Sequence, residues 1–409
     1  MFRQPDIRHA RIIGVALFAG VTLLTTSLYA TTARLYSLGG GDFIEDAHNV
    51  QRWYGSLGDY PNLLTLESGH FTLPEGWHDS DAHRVSGPGL GLHLALDKKR
   101  SWGTIGFFLS GQGDDLDPGS ANRDGLGTTW SAMWTRRLGP VQPTLMVRHG
   151  QDTGEDIIPA PGSASLERSW DRSRTEYGLG VRWDLSEGAY LDLAGELREH
   201  HEQTNVADPD FTVTGPAVSS TGSVGLRSRA FVRLTPSLAL VPLVEYLHED
   251  RPTFAFSPFA TTGLNARLLK IGTGLNWYPD ADHFLVLSLD YINGDVDYWK
   301  TPLDKTTIDS RSWSSLSLTM GFESRFQYWL TFRGSLRYEP VNLAETSANT
   351  PDDFDTFMVN LGAALQLGNY ELDLALTDQE PRSVAGYYGN SLFGNPTTWL
   401  TLSFLYHWK

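Results

Sequence analysis

Residues 397–409, TTWLTLSFLYHWK, alternate between two chemically different faces. One face carries only apolar or aromatic side chains: Leu400, Leu402, Phe404, Tyr406 and Trp408. The other face is mostly polar, and a period of two residues is that of a β-strand whose two faces meet different surroundings. One such strand also occurs in soluble β-sandwiches, so the fold depends on how often the pattern recurs.

The pattern recurs along almost the whole chain. About a dozen alternating residues are followed by a short turn, a second alternating dozen and a long polar loop. The resulting count of about 16 strands is even, as in bacterial single-chain barrels. We predict an all-β fold, a transmembrane antiparallel up-and-down β-barrel, over residues 62–409. Its strands are expected to begin near residues 62, 87, 101, 127, 140, 174, 188, 222, 237, 265, 282, 312, 327, 355, 369 and 397.

The connections between these strands alternate in length. The short ones have the sequences DKKR, LGP, SEG, TPS, YPDAD, SRFQ and LGN, and the connections between them are long. In outer-membrane barrels the short turns face the periplasm and the long loops face outward. A soluble sandwich has no reason to sort its loops by side, so the alternation favours the membrane barrel.

Composition excludes several other classes of protein. The chain is 40% hydrophobic with a mean hydropathy of -0.27, and beyond residue 30 no apolar run approaches the length of a spanning helix. A helical membrane protein is therefore excluded. The chain has no cysteine, which removes disulfides, thiolate metal sites and cysteine nucleophiles.

The first 30 residues resemble an export signal. Three arginines precede an apolar run over residues 12–24, which is too short to span a membrane comfortably. We expect residues 1–30 to be a signal peptide cut after Ala30, with a cut after Ala33 as the alternative. Removing three Arg and one Asp from a net charge of -16 leaves -18. Such an acidic protein is not expected to bind nucleic acid.

The inward faces of the predicted strands carry many charges. A dry core tolerates such charges only when nearly all are paired, so we expect a wet lumen. One interpretation is an ordinary aqueous lumen, and the other is that unequal charge creates a selectivity zone. The predicted pore-lining residues are Arg182, Asp184, Asp192, Glu196, Arg198, Arg227, Arg229, Arg233, Arg333 and Arg337.

The longest outer loop has two possible positions relative to this lumen. Residues 151–173, QDTGEDIIPAPGSASLERSWDRS, contain an apolar run that would be costly on an exposed tip. One hypothesis is a constriction loop resembling that of general porins, with Glu155 and Asp156 facing the arginine side. The alternative is a loop packed on its outer neighbours.

These features resemble bacterial outer-membrane β-barrels of the porin type. Residues 37–57, SLGGGDFIEDAHNVQRWYGSL, are also similar to the glycine-rich start of the long-chain fatty-acid transporter family. That resemblance implies an N-terminal hatch inside a barrel, which in that family has 14 strands. Residues 31–61 are therefore expected to be either a hatch or a periplasmic leader on the lower rim.

The sequence predicts a transport function in the outer membrane of a Gram-negative bacterium. The first hypothesis is a channel for passive diffusion of small polar solutes or ions. The alternatives are a hatch-bearing importer of hydrophobic or specific substrates and a non-conducting surface anchor or partner-binding barrel. Expected partners are outer-membrane lipid, lipopolysaccharide and the barrel-assembly machinery.

Nothing in the sequence indicates an enzyme, a cofactor or a metal site. Ser403 and His407 share an inward face, but four strand residues span about 13 Å. That distance is far beyond the reach of a hydrogen bond.

Overall fold

Sixteen antiparallel strands close into a barrel in which the first strand pairs with the last. The structure is a computed structural model that describes residues 31–72, 89–98, 101–111, 128–158, 166–208, 211–214, 218–254, 261–299, 307–345, 352–383 and 398–408. The predicted signal peptide lies outside these residues. The 16-strand prediction is confirmed, and the alternative of 14 strands is wrong.

The strands follow one another around the barrel in chain order. They are β1 Leu63–Thr72, β2 Gly89–Ala95, β3 Thr104–Ser110, β4 Thr128–Thr135, β5 Val141–Ile158, β6 Leu166–Ser186, β7 Ala189–Asp208, β8 Phe211–Thr214, β9 Val218–Thr235, β10 Leu238–Phe254, β11 Thr261–Trp277, β12 His283–Trp299, β13 Thr307–Gln327, β14 Leu330–Glu345, β15 Asp352–Leu367, β16 Tyr370–Ser383 and β17 Thr398–His407. The short β8 pairs only with the outer end of β7, and β7 pairs directly with β9. Strand β8 is therefore an addition to the barrel wall.

Helical structure among the described residues precedes β1. It consists of the α-helix α1 (Thr32–Ser37) and two 3₁₀ helices, His48–Gln51 and Tyr54–Asp59. In the part of the chain that the structure describes, no helix is both long and apolar enough to cross a membrane.

Several strands are longer than a membrane requires. Strands β6 and β13 each have 21 residues, whereas a tilted strand crosses the hydrocarbon core with about 9–11. The short turns at the other ends are tight, since Ser186 pairs with Ala189 across Gly188, which has φ 75. The extra length therefore extends the wall beyond the membrane on the long-loop side.

The predicted constriction loop is part of this extended wall. Glu155 and Asp156 lie in β5, where they pair with Ser169 and Arg168 of β6. Their backbone therefore runs in a strand of an outer hairpin, and the prediction that they lie in a loop is wrong. Ladder hydrogen bonds to β6 satisfy the backbone donors and acceptors of this segment.

The outer surface of the barrel is apolar where a membrane would contact it. Leu179 and Leu287 are 54% and 48% exposed, while their neighbours along the strand face inward. Strand β4 shows the alternation without interruption, because every second residue is buried. Tyr328 lies in the short turn before β14, and Tyr338 lies ten residues further on, within β14, as expected for two aromatic belts.

A charged side chain on this apolar surface should destabilise the barrel most near the middle of the membrane. Leu287 lies four residues from the start of β12, about 10 Å from the rim along the membrane normal. We expect Leu287→Arg to lower the free energy of unfolding by about 2–4 kcal/mol, and the rim variant Leu367→Arg by about 0–1 kcal/mol. Urea titration of both variants refolded into lipid vesicles measures the difference. Equal losses would contradict the assigned depth of Leu287.

Candidate functional site: the plugged lumen

Residues 31–61 lie inside the barrel, and we call them the plug. The plug contacts strands around the circumference of the wall, and each contact lies within about seven residues of a short-turn end. The plug therefore occupies the short-turn half of the lumen. Its partners on the wall include Glu67 of β1, Gln142 of β5, Arg182 of β6, Glu196 of β7, Arg229 of β9, Glu245 of β10, Lys270 of β11, Glu323 of β13, Asp373 of β16 and Ser403 of β17.

Local sequence signals shape the start of the plug. Thr31 caps α1, because its side chain accepts a hydrogen bond from the Arg34 amide at 3.0 Å. The helix then ends at the glycine run, where Gly39 has φ 81 and Gly40 has φ 125. Glycine adopts these angles without the steric cost that a side chain would add. The chain can therefore turn sharply and cross the lumen.

Arg182 joins the plug to two strands of the wall. Its guanidinium forms an ion pair with Asp192 on the neighbouring strand, with Nε 2.7 Å from the carboxylate. One of its terminal nitrogens lies 2.5 Å from Glu45 and 2.7 Å from Asp59, both of which belong to the plug. A planar guanidinium offers several donors in fixed directions, so one arginine can bind three carboxylates.

Arg229 is a second, fully buried anchor. Its Nη1 donates to the backbone carbonyls of Asp42 at 3.0 Å and of Ile44 at 3.1 Å. The guanidinium lies 4.5 Å from the ring centroid of Trp53 and 5.1 Å from that of Phe231. Hydrogen bonds and cation–π contacts thus act on the same group, which fixes the position of the plug backbone.

Asp42 is the acidic counterpart of these anchors on the plug itself. Its carboxylate lies 2.8 Å from Lys270 Nζ and 3.1 Å from Arg52 Nε. Burial would raise the pKa of Asp42, but Arg52 and Lys270 outweigh that effect and hold the pKa below its usual range. Arg52 also forms an ion pair with Glu245 of β10. Charges of the plug and of the wall therefore neutralise each other.

Tyr54 contacts the acidic face of β7. Its hydroxyl donates to Glu196, which also accepts hydrogen bonds from Arg227 at 2.9 and 3.0 Å. Burial and the nearby Glu196 carboxylate raise the pKa of Tyr54 far above its usual value. The hydroxyl thus stays protonated and remains a donor.

A separate charged cluster lies on the opposite arc of the barrel. Arg34 of the plug binds Glu323 of β13 with Nε 2.7 Å from the carboxylate, and its Nη1 lies 3.2 Å from Asp46. Arg333 of β14 lies 2.6 Å from the same Glu323 and 2.7 Å from Asp373 of β16. Removing one partner of such buried pairs leaves the other charge uncompensated, which is strongly destabilising.

Glycines on the inward faces of the strands let the plug approach the wall closely. A side chain added at Gly274 would place its Cβ 2.6 Å from Cβ of Phe43, and one at Gly180 would lie 2.7 Å from Cβ of Tyr54. An inward glycine in a strand is a signal of close approach that the sequence analysis did not use. The other inward glycines in contact with the plug are Gly106, Gly178, Gly272, Gly321 and Gly362.

Eight of the ten predicted pore-lining residues face the lumen, but they do not line a water-filled path where the plug lies. Asp184 and Arg233 are instead at the short-turn rim, where Asp184 binds Arg137. The expectation of a wet lumen is wrong for the short-turn half, because the plug supplies partners that replace water. The eight lumen residues are Arg182, Asp192, Glu196, Arg198, Arg227, Arg229, Arg333 and Arg337.

An apolar surface lies on the lumen wall beyond the plug, and we call it the outer lumen patch. Leu247, Leu268 and Ile292 form its centre, with Trp313 packed against them. Along β11, Leu268 is six residues further from the short turn than Gly274, which contacts the plug. Ala266 and Val296 extend the patch towards the outer end. Leu247, Leu268 and Ile292 are 3%, 2% and 7% exposed, so they pack mainly against one another and against Trp313.

The close contact at Gly274 provides a test of the plug position. We expect Gly274→Val to displace Phe43 and loosen the plug, because atoms of the new side chain would overlap Phe43. The chain has no cysteine, so an Ala47→Cys reporter can be labelled without background. Ala47 is 1% exposed, and a water-soluble maleimide should modify it faster in the Gly274→Val background. The matched control is Gly195→Val on the lipid-facing side, which should leave the labelling rate unchanged.

No family model matches the chain, and no curated protein matches its sequence. Solved structures show similarity over most of its length. A Pseudomonas aeruginosa FadL homologue has 10% identity and a TM-score of 0.50, covering 94% of this chain and 99% of that one. The CymD monoaromatic hydrocarbon channel has 11% identity and a TM-score of 0.42, with coverage of 91% and 96%. The Pseudomonas putida toluene transporter TodX has 10% identity and a TM-score of 0.42, with coverage of 93% and 98%. The chain thus has the fold of bacterial outer-membrane barrels.

Proposed function

We propose that the protein is an outer-membrane importer whose barrel is closed at rest by the plug and which admits small solutes with an apolar part. The single observation that carries the proposal is the plug, which crosses the lumen and pairs with the wall on both of its arcs. A solute entering from outside meets the plug before it reaches the periplasm. Passage therefore requires part of the plug to move.

The chemistry of the plug–wall contacts is compatible with such movement. Many of them are ion pairs and hydrogen bonds. Apolar clusters join the plug to the wall as well, such as that of Phe43 and Trp53 with Leu243. Charged groups that separate in an aqueous lumen regain hydration, which offsets much of the lost attraction. Movement must also break the apolar contacts, so a local movement of part of the plug costs less than release of the whole plug.

The outer lumen patch supports a solute with an apolar part. Leu247, Leu268, Ile292 and Trp313 form an apolar cluster of the lumen wall between the outer end of the barrel and the plug, and Trp313 is its partly exposed member. Charged groups lie on the same strands closer to the plug, including Lys270 next to Asp290 at 3.1 Å. A path that combines an apolar wall with nearby charges suits a small aromatic acid better than a sugar.

Uptake by intact cells tests the proposal. We expect expression of the protein to accelerate entry of labelled benzoate but not of labelled arabinose. Leu268→Asp should reduce benzoate entry, because it places a charge in the patch, whereas the volume-conserving Leu268→Met should not. Equal acceleration of both solutes would instead support a passive polar channel. No acceleration of either would support the non-conducting surface barrel.

A further inference from the structure

The first residues of the plug lie in a pocket rich in carboxylates. Thr31 is fully buried, and its hydroxyl donates to Asp373 of β16 at 2.5 Å. The amide of Thr32 donates to Glu67 of β1 at 3.3 Å, and the amide of Ala33 donates to Ser403 of β17 at 3.2 Å. The start of the plug is thus held against β1 and β17, the first and last strands, whose pairing closes the barrel.

Acidic groups outnumber basic ones in this pocket. Among the residues that the structure describes there, the cations are Arg34 and Arg333, and His48 contacts Thr32 at 3.1 Å. The carboxylates are Asp46, Glu67, Glu323, Glu371 and Asp373. Even with a charged His48, the pocket holds more negative than positive charge, and buried charge without compensation is costly.

The pKa of Asp46 reflects this shortage of positive charge. Burial raises the pKa of Asp46 to about 7, and the Asp373 carboxylate adds to the rise, although Arg34 lies 3.2 Å away. A pocket with enough cations would hold this carboxyl ionised near its usual pKa.

We propose that cleavage of the Ala30–Thr31 peptide bond completes the pocket, because the new α-ammonium group of Thr31 forms an ion pair with Asp373. A signal peptidase catalyses hydrolysis of the bond by water, which leaves a carboxylate on Ala30 and an ammonium group on Thr31. The nitrogen of a threonine lies within about 4 Å of its own Oγ1 in any rotamer. The Oγ1 atom lies 2.5 Å from Asp373, so the new cation lies within about 6.5 Å of that carboxylate and a small rotation brings the two together.

The same geometry distinguishes the two predicted cleavage sites. A cut after Ala33 would remove Thr31, which caps α1 and binds Asp373. A cut after Ala30 keeps both contacts and adds one positive charge. The plug is then locked only in the processed protein, whatever solute the barrel transports.

Intact mass measurement of the purified protein is the first test. We expect a mature chain that begins at Thr31. A chain that begins at Arg34, or one that retains the signal peptide, would overturn the proposal.

Labelling of the Ala47→Cys reporter is the second test. Inserting Ser-Gly between Ala30 and Thr31 keeps the cleavage site but moves the ammonium group away by about 7 Å. We expect the insertion to raise the maleimide labelling rate on the order of tenfold, as for loss of a buried charge-assisted hydrogen bond. Intact mass confirms that the inserted serine is the new first residue, and protease resistance confirms that the barrel is folded.

A double-mutant cycle separates the ion pair from general damage to the pocket. Asp373→Asn and Glu371→Gln each remove a partner of Arg333, but only Asp373 contacts Thr31. In the chain with the insertion, the effect of Asp373→Asn should shrink while that of Glu371→Gln stays the same. Labelling unaffected by the insertion, or an Asp373→Asn effect of the same size in both chains, would overturn the proposal.

Discussion

Joining Ala30 directly to Gly58 should turn a closed barrel into an open aqueous channel. The deletion removes α1 and the crossing segment of the plug, whereas β1 begins only at Leu63 and keeps its ladders to β2 and β17. A 16-stranded wall leaves room for a water-filled lumen. In a planar bilayer we expect the intact protein to show no steady conductance and the deleted form to show discrete openings.

The control for this deletion is a variant that alters the rim but not the plug. Arg233→Ala changes an exposed side chain at the short-turn end and should remain as silent as the intact protein. Protease resistance of the deleted form shows whether its barrel still closes. A folded, deleted form that stays silent would contradict the plug as the barrier to conduction.

A disulfide between the plug and the wall should abolish uptake. A side chain at Gly362 would place its Cβ 2.5 Å from Cβ of Ser37, while a disulfide needs about 3.8 Å, so a shift of about 1 Å allows the bond. In the double variant Ser37→Cys, Gly362→Cys we expect benzoate uptake to fall to the level of cells that lack the protein. A reductant should restore it.

The absence of native cysteine makes this experiment specific. Each single-cysteine variant is a matched control and should transport at the same rate with and without reductant. If the oxidised double variant, with its disulfide verified by mass, transports like the intact protein, then the plug does not open by moving at Ser37.

The sequence predicted the short-turn ends of the strands much better than their outer ends. Starts expected at residues 188, 237 and 369 lie at 189, 238 and 370 in the structure. The start expected at 174 lies instead at Leu166, and that expected at 312 lies at Thr307. Beyond the membrane both faces of a hairpin contact water, so the alternation that marks a strand disappears there.

In the lumen, too, the local sequence pattern predicts some features of the site and not others. Period-two alternation was enough to predict that the side chains of Arg182, Arg229 and Arg333 face inward. It could not identify their partners, because Glu45 is 137 residues from Arg182 along the chain. The plug itself has no regular period, and its position depends on contacts with many strands at once. Glycines such as Gly274 were the available local signal.

The position of the plug relative to the seam constrains the order of events during folding. Strands β1 and β17 form the seam, and the plug leads directly into β1 while contacting β16 and β17. Once β1 has paired with β17, the plug would have to enter the closed barrel through its short-turn end to reach its position. We expect the plug to settle before the last ladder forms, because its contacts with β16 and β17 can then bring the first and last strands together. This reduces the entropy cost of joining segments that are more than 300 residues apart in the chain.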